Sequence, residues 1–169
     1  MKLKDRILVT LLLTMGLVIH HITPGIFFGM KMDFLLISIV IAIILYPTFE
    51  NYILVAILGG VFSALTTSFP GGQIPNIIDK FISTFVILLL TKNLLKNRNN
   101  IYIVGLIGLI GTFVSGSVFL LSVKYIMGIS DLSSSLIYMV VLPASIINSF
   151  GTVFMYKVIE KSLSAYKTA

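Results

Sequence analysis

The residues best suited to binding a solute lie in the segment 63–80, which reads SALTTSFPGGQIPNIIDK. This segment places hydroxyls, amides and an Asp79–Lys80 pair inside a chain of which 57% of the residues are hydrophobic. Polar groups so close to hydrocarbon are costly, so they rarely occur there without a use. Asn76, Asp79 and Lys80 stand at i, i+3 and i+4, and a helix presents such residues on one face. The pattern predicts a binding site for a polar solute.

A second pair of opposite charges, Lys31 and Asp33, makes a zwitterionic solute such as an amino acid the best match. A zwitterion needs an anionic and a cationic partner a short distance apart. We predict that Asp79 or Asp33 holds an ammonium group, and that Lys80 or Lys31 holds a carboxylate. Taken alone, Asp79 and Lys80 are also explained by a capped helix start with an exposed charge pair. The presence of the second pair favours the solute site.

Further candidates surround these charges. Thr67, Gln73 and Asn76 would complete the hydrogen bonding of a buried solute. His20, at the end of the first apolar run, is a further candidate, although an interfacial histidine is more commonly structural. Aromatic walls could be supplied by a set of residues for which plain packing is individually the simpler interpretation: Phe27, Phe28, Phe69 and Tyr138.

Six apolar runs must position these residues. The chain has 169 residues with only 11% charged, whereas a soluble domain has about a quarter. Its mean hydropathy is +1.08. A bilayer-spanning helix needs about 20 apolar residues, and run 34–46 is short enough that it should begin in the preceding loop or cross a thin part of the protein. We predict an all-α membrane protein, one domain over residues 1–169, with transmembrane helices at 7–22, 34–46, 52–68, 76–95, 101–127 and 136–157.

The distribution of positive charge orients this bundle. Nine of the twelve basic residues fall on the same side of a six-span arrangement: Lys2, Lys4, Arg6, Lys92, Lys96, Arg98, Lys157, Lys161 and Lys167. The positive-inside rule then puts both termini in the cytoplasm and segment 63–80 outside the cell membrane. Basic residues at the ends of apolar runs, rather than on a soluble face with aromatics interleaved, argue against binding of nucleic acid.

Motifs for catalysis, metal binding and nucleotide hydrolysis are missing from the sequence. It contains no G-x-x-x-x-G-K-[ST], H-E-x-x-H or G-x-S-x-G motif and no cysteine. We predict that the chain is not an enzyme and holds neither a metal nor a cofactor.

Small residues follow one strip of the first helix, Thr10, Thr14 and Gly16. Such strips allow helices to approach closely. Docking of a partner protein and packing within the chain explain this strip equally well. In the fifth run, Gly108-xxx-Thr112 and Gly111-xxx-Ser115 are explained by packing within the chain.

The segment 63–80, together with GMKMD at 29–33 and VLPASIIN at 141–148, resembles the tryptophan-specific S components, the TrpP group, of energy-coupling factor (ECF) transporters. The resemblance covers nearly the whole chain and implies an S-component-like bundle that captures tryptophan outside the cell. It also implies partners: a transmembrane coupling protein and two ATPase subunits, which use the ATP. S components dock through small residues in the first helix, which here are Thr10 and Thr14. In the family the loop between the first two helices acts as a lid, which would bring Lys31 and Asp33 near the solute.

Two other functions compete with this one. A stand-alone secondary transporter of aromatic amino acids, driven by protons, would need a titratable group deep in the bilayer. The acidic residues fall near the ends of the apolar runs, which argues against it. A membrane scaffold or assembly factor would leave the polarity of segment 63–80 unexplained.

Overall fold

The computed structural model describes residues 1–24, 32–95, 100–128 and 135–168, and the side chains of these ranges up to residue 165. All the regular structure in these ranges is helical. The elements are α1 (Leu3–Ile22), α2 (Phe34–Leu45), α3 (Phe49–Leu65), α4 (Gln73–Leu94), α5 (Ile101–Met127) and α6 (Leu142–Thr168), with a π-helical segment (Ile137–Val141) leading directly into α6. Lys31, Phe27 and Phe28 lie outside the described residues.

Four stretches of helix are long and apolar enough to cross a membrane: Leu3–Ile22, Gln73–Leu94, Ile101–Met127 and Ile137–Ala165. The other two helices, α2 and α3, are apolar but shorter. The chain is therefore a helical membrane protein. The helix α4 begins at Gln73, ahead of the predicted run, and includes Pro75 in its first turn. A proline is tolerated there because its missing N–H would have no partner within the helix.

The short helix α2 forms the centre of the bundle. Residues 35–44 are each at most 2% exposed, and α2 contacts α1, α3, α4, α5 and α6. Because protein encloses α2, its 12 residues do not need to span the full thickness of a bilayer. The expectation that it begins in the preceding loop is wrong for the residues described, because α2 starts at Phe34 with Asp33 as its N-cap.

Glycines allow the outer helices to approach α2 and each other. A side chain at Gly16 of α1 would collide with Ser38 and with the carbonyl oxygen of Phe34. On α5, a Cβ at Gly108 would lie 2.6 Å from Thr152 Oγ1 of α6. The prediction that the small residues of α5 serve packing within the chain is confirmed for this contact.

The start of the last helix is irregular. Pro143 is the second residue after the π-helical segment, and its missing N–H interrupts the regular ladder of backbone hydrogen bonds. Ser145 Oγ donates to the carbonyl oxygen of Val141 at 2.7 Å. Short π-helical segments are common at functional sites, and this one places Val140 and Val141 beside the cavity described next.

Candidate functional site

A cavity of about 330 Å³ lies inside the bundle, with residues from all six helices in its wall. Its volume is within the range of small-molecule sites. The polar part of the wall comprises His20, Asp33, Ser63, Thr66, Thr67, Ser68, Asn76, Asp79, Lys80, Thr112, Ser115 and Asn148. The apolar part comprises Leu35, Leu36, Phe69, Gly116, Phe119, Val140, Val141 and Ala144. A polar region and an aromatic region therefore share one cavity.

A buried ion pair is the strongest polar feature of the wall. Lys80 Nζ lies 2.6 Å from Asp79 Oδ2, and the two residues are 3% and 1% exposed. Ser115 of α5 links to both, because its Oγ accepts from Lys80 Nζ at 3.1 Å and donates to Asp79 Oδ2 at 2.9 Å. Neighbouring residues of a helix do not normally face each other. Here the long lysine side chain and the bridging serine bring the two charges together while both residues still line the cavity.

Asp33 brings a second carboxylate to the same place. Its Oδ1 accepts from the backbone N–H of Leu36 at 3.0 Å and thereby caps α2. Its Oδ2 lies 4.0 Å from Lys80 Nζ, and Oδ1 lies 3.4 Å from His20 Nδ1. The side chain of Asp33 is 30% exposed. Asp33 is therefore the more accessible of the two acids in the cavity wall.

Asn148 holds the start of α2 against the last helix. Its Oδ1 accepts from the backbone N–H of Asp33 at 3.0 Å, and its Nδ2 donates to Thr112 Oγ1 at 3.4 Å. Asn148 therefore bonds to two other elements of the bundle, the start of α2 and α5. Because Asn148 also lines the cavity, it connects the position of Asp33 to the wall formed by α5 and α6.

The remaining hydrogen-bonding groups come from α3, the α3–α4 connection and α4. Ser63 Oγ donates to Asn76 Oδ1 at 2.9 Å. Thr67 Oγ1 accepts from the backbone N–H of Phe69 at 3.3 Å, which stabilises the turn that carries Phe69. These side chains form a neutral polar strip beside the charged group.

An aromatic pair forms part of the apolar wall. The rings of Phe69 and Phe119 are 5.8 Å apart at an interplanar angle of 89°, an edge-to-face contact. Phe69 was a candidate from the sequence, whereas Phe119 was not. Tyr138, the other candidate in the described part, is 70% exposed and does not line the cavity.

Most of the predicted binding residues meet at this cavity. His20, Asp33, Thr67, Asn76, Asp79 and Lys80 line it. Gln73 does not, because it is exposed at the first turn of α4. Lys31 lies outside the described residues, so its role stays a prediction. Sequence reasoning missed Ser115 and Thr112, because their spacing on α5 is also that of a packing surface.

The predicted docking residues of α1 have two different environments. Thr14 is exposed, and its hydroxyl donates to the carbonyl oxygen of Thr10 at 2.9 Å. Thr10 donates in the same way to Arg6. Gly16 instead is buried against α2. A docking surface on this helix would therefore include the threonines but not Gly16. In the described ranges no cluster of three or more His, Asp or Glu residues could hold a metal ion.

Comparisons with known proteins agree on one family. The family model "Tryptophan transporter TrpP" matches residues 2–164. The chain is 37% identical over 163 residues to a "Probable tryptophan transport protein" of Bacillus subtilis (strain 168), covering 96% of this chain and 94% of that protein. A protein of the same name from Clostridium acetobutylicum is also 37% identical over 163 residues, covering 96% of this chain and 95% of the relative.

No solved structure shows significant similarity to the chain. The family consists of transporters rather than enzymes, which agrees with the prediction made from the missing motifs. The family match and the relatives cover nearly the full length of the chain, so they include every helix that lines the cavity. The chain therefore belongs to the TrpP family of tryptophan transporters.

Proposed function

We propose that this chain is the substrate-binding membrane subunit of an ECF-type importer and that it captures tryptophan from outside the cell. The observation that carries the proposal is the cavity itself, whose wall includes two acids, a lysine and an aromatic pair. The relatives named as probable tryptophan transport proteins support tryptophan as the solute. Energy would come from a separate coupling protein and two ATPase subunits, so the chain itself would need no cofactor.

Tryptophan matches the two regions of the wall. Its ammonium group would lie against Asp33, the accessible acid, and its indole ring against the edge-to-face pair of Phe69 and Phe119. The neutral strip of Ser63, Thr67 and Asn76 is available for the indole N–H. Groups of this kind are costly to bury without a partner, so a bound solute would stabilise the cavity.

The location of the cavity supports capture from outside. The cavity wall includes His20, near the end of α1 that lies opposite Met1, and Asp33 at the start of α2. The basic residues of the N-terminus, the end of α4 and the C-terminal part of α6 lie away from it along their helices. With the positive-inside rule, both termini are cytoplasmic and the cavity belongs to the outer half of the cell membrane.

One observation favours a stand-alone, proton-coupled transporter as a second candidate. Asp79 is a carboxylate that is only 1% exposed, within a helix long enough to cross the membrane. Buried acids of this kind serve as proton carriers in secondary transporters. The lysine 2.6 Å away weakens this alternative, because it already holds the acid in a buried ion pair.

Tryptophan uptake into proteoliposomes separates the two functions. The chain would be reconstituted alone, and also together with the coupling protein, both ATPase subunits and enclosed or external ATP. We expect accumulation only with the complete set and ATP, with ATPase subunits that cannot hydrolyse ATP as the control. Accumulation by the chain alone in response to a pH gradient would refute the S-component proposal and establish the alternative.

A further inference from the structure

We propose that the amino group is the charged group that the cavity requires of its ligand, so that arylalkylamines lacking a carboxylate, such as tryptamine, bind in the same place. This inference rests on the proposed function, because it takes the cavity to be the tryptophan site. It adds a ligand class and predicts which half of the zwitterion controls recognition.

The formal charges of the described residues that line the cavity do not balance. Among the described lining residues there are two carboxylates, Asp33 and Asp79, and one ammonium group, that of Lys80. These groups leave one surplus negative charge, and His20, whose Nδ1 lies 3.4 Å from Asp33 Oδ1, adds a positive charge only when it is protonated. A buried charge is costly unless it is paired. A ligand that brings one positive charge therefore completes the site.

The hydrogen bonds show that the negative charge is incompletely matched. Lys80 donates to Asp79 Oδ2 and to Ser115 Oγ. Asp79 Oδ1 is fully buried and has no hydrogen-bond partner in the described part of the chain. Asp33 Oδ2 lies 4.0 Å from Lys80 Nζ, which is too far for a hydrogen bond. The lysine thus serves mainly Asp79, and Asp33 is the acid that is left for a ligand.

A ligand carboxylate finds a poorer environment in the same wall. It would need to compete with Asp79 for Lys80, which Asp79 already contacts at 2.6 Å. It would also approach two carboxylates of the same sign. Indole-3-propionate, which has the carboxylate of tryptophan without its amino group, is therefore expected to bind poorly, whereas tryptamine retains the interaction with Asp33.

The test uses the full-length chain purified in mild detergent at about pH 8, where an ordinary histidine is neutral. Tryptophan, tryptamine and indole-3-propionate are each titrated by calorimetry, and the last two also compete with radiolabelled tryptophan. We expect tryptamine to bind and to displace tryptophan. We expect indole-3-propionate to bind about 10- to 100-fold more weakly than tryptamine, the loss typical of a charged hydrogen bond.

Asp33→Asn tests the residue assignment. Asparagine also caps helices well, so the start of α2 should persist while the surplus charge disappears. The variant should lose at least about tenfold in tryptamine affinity. The matched control is Asp5→Asn, the same chemical change near the N-terminus of α1 and away from the cavity wall, which should bind tryptamine like the wild type.

The outcomes separate the inference from the function on which it rests. If tryptophan binds and tryptamine does not, the inference is wrong and the proposed function stands. If indole-3-propionate binds more tightly than tryptamine, the inference is also wrong, and the proposed function is unaffected. If tryptamine binds and tryptophan does not, the amine site stands and the tryptophan function fails. Binding of neither ligand refutes both.

Discussion

The buried pair of Asp79 and Lys80 gives the sharpest prediction for stability. Lys80→Met removes the ammonium group and leaves a carboxylate that is 1% exposed. At 2.6 Å the attraction is about 6 kcal/mol for an effective dielectric constant of about 20. Desolvation of the two ions costs several kcal/mol each, so the intact pair contributes little net stability. Removing only the lysine leaves an unpaired buried charge, so we expect Lys80→Met to lower the free energy of unfolding by about 3–5 kcal/mol.

Removing both charges should recover most of the lost stability. The double variant Asp79→Asn with Lys80→Met has no unpaired buried charge, and the amide can still accept from Ser115. We expect its free energy of unfolding to be within about 1–2 kcal/mol of the wild-type value. The matched control is Lys92→Met, an exposed lysine at the other end of α4, which should change stability by less than about 0.5 kcal/mol.

The assay is unfolding of the purified protein by a titration from mild detergent into sodium dodecyl sulfate, followed by circular dichroism. The key result is the difference between the single and the double variant. If Lys80→Met is as stable as the wild type, the side chains are not buried as the structure places them. If the double variant is as unstable as the single one, the loss does not arise from an unpaired charge, and the reasoning is refuted.

Three further predictions concern the aromatic wall, a helix contact and a helix end. Phe119→Ala should weaken tryptophan binding about tenfold, which is the equivalent of the energy of an aromatic pair. Phe113 lies outside the cavity wall, so Phe113→Ala should leave binding unchanged. Equal effects of the two substitutions in a binding titration would contradict the assignment of Phe119 to the site. Gly108→Ala should destabilise the protein by about 1–3 kcal/mol through overpacking. Gly60→Ala, where a Cβ would lie 3.5 Å from its nearest neighbour, is the control, and equal stability of the two variants would count against the packing. The side-chain amide of Asn51 donates to two carbonyl oxygens at the end of α2. Asn51→Ala should therefore lower the free energy of unfolding by about 1–3 kcal/mol and leave the affinity for tryptophan unchanged. The same unfolding titration measures this loss, and an unchanged midpoint would contradict the prediction.

Much of the helical architecture could be predicted because apolar runs of sufficient length have few stable alternatives in a membrane. The burial of α2 could not. A run such as Phe34–Leu45 is apolar on all sides, so no periodicity distinguishes a helix enclosed by protein from one facing lipid. Its short length is the available signal, but that length also fits a start in the preceding loop or a crossing through a thin part of the protein.

The candidate site could be predicted where its residues are local in sequence. Asn76, Asp79 and Lys80 line one cavity because helical spacing puts them on one face. Gln73 belongs to the same polar segment but is exposed, because it precedes that face. Ser115 bridges the ion pair from α5, and a contact between distant helices leaves no spacing pattern in a single sequence. A small residue on a helix surface has the same pattern whether it packs or binds.

The most direct test of the account is calorimetric titration of tryptophan into the purified chain without any other subunit. The chain contains no tryptophan, so quenching or enhancement of ligand fluorescence can confirm the same binding curve. The account predicts saturable binding that Asp33→Asn and Phe119→Ala weaken and that Asp5→Asn and Phe113→Ala leave intact. Folded protein that does not bind tryptophan, or binding that neither cavity substitution weakens, would contradict it.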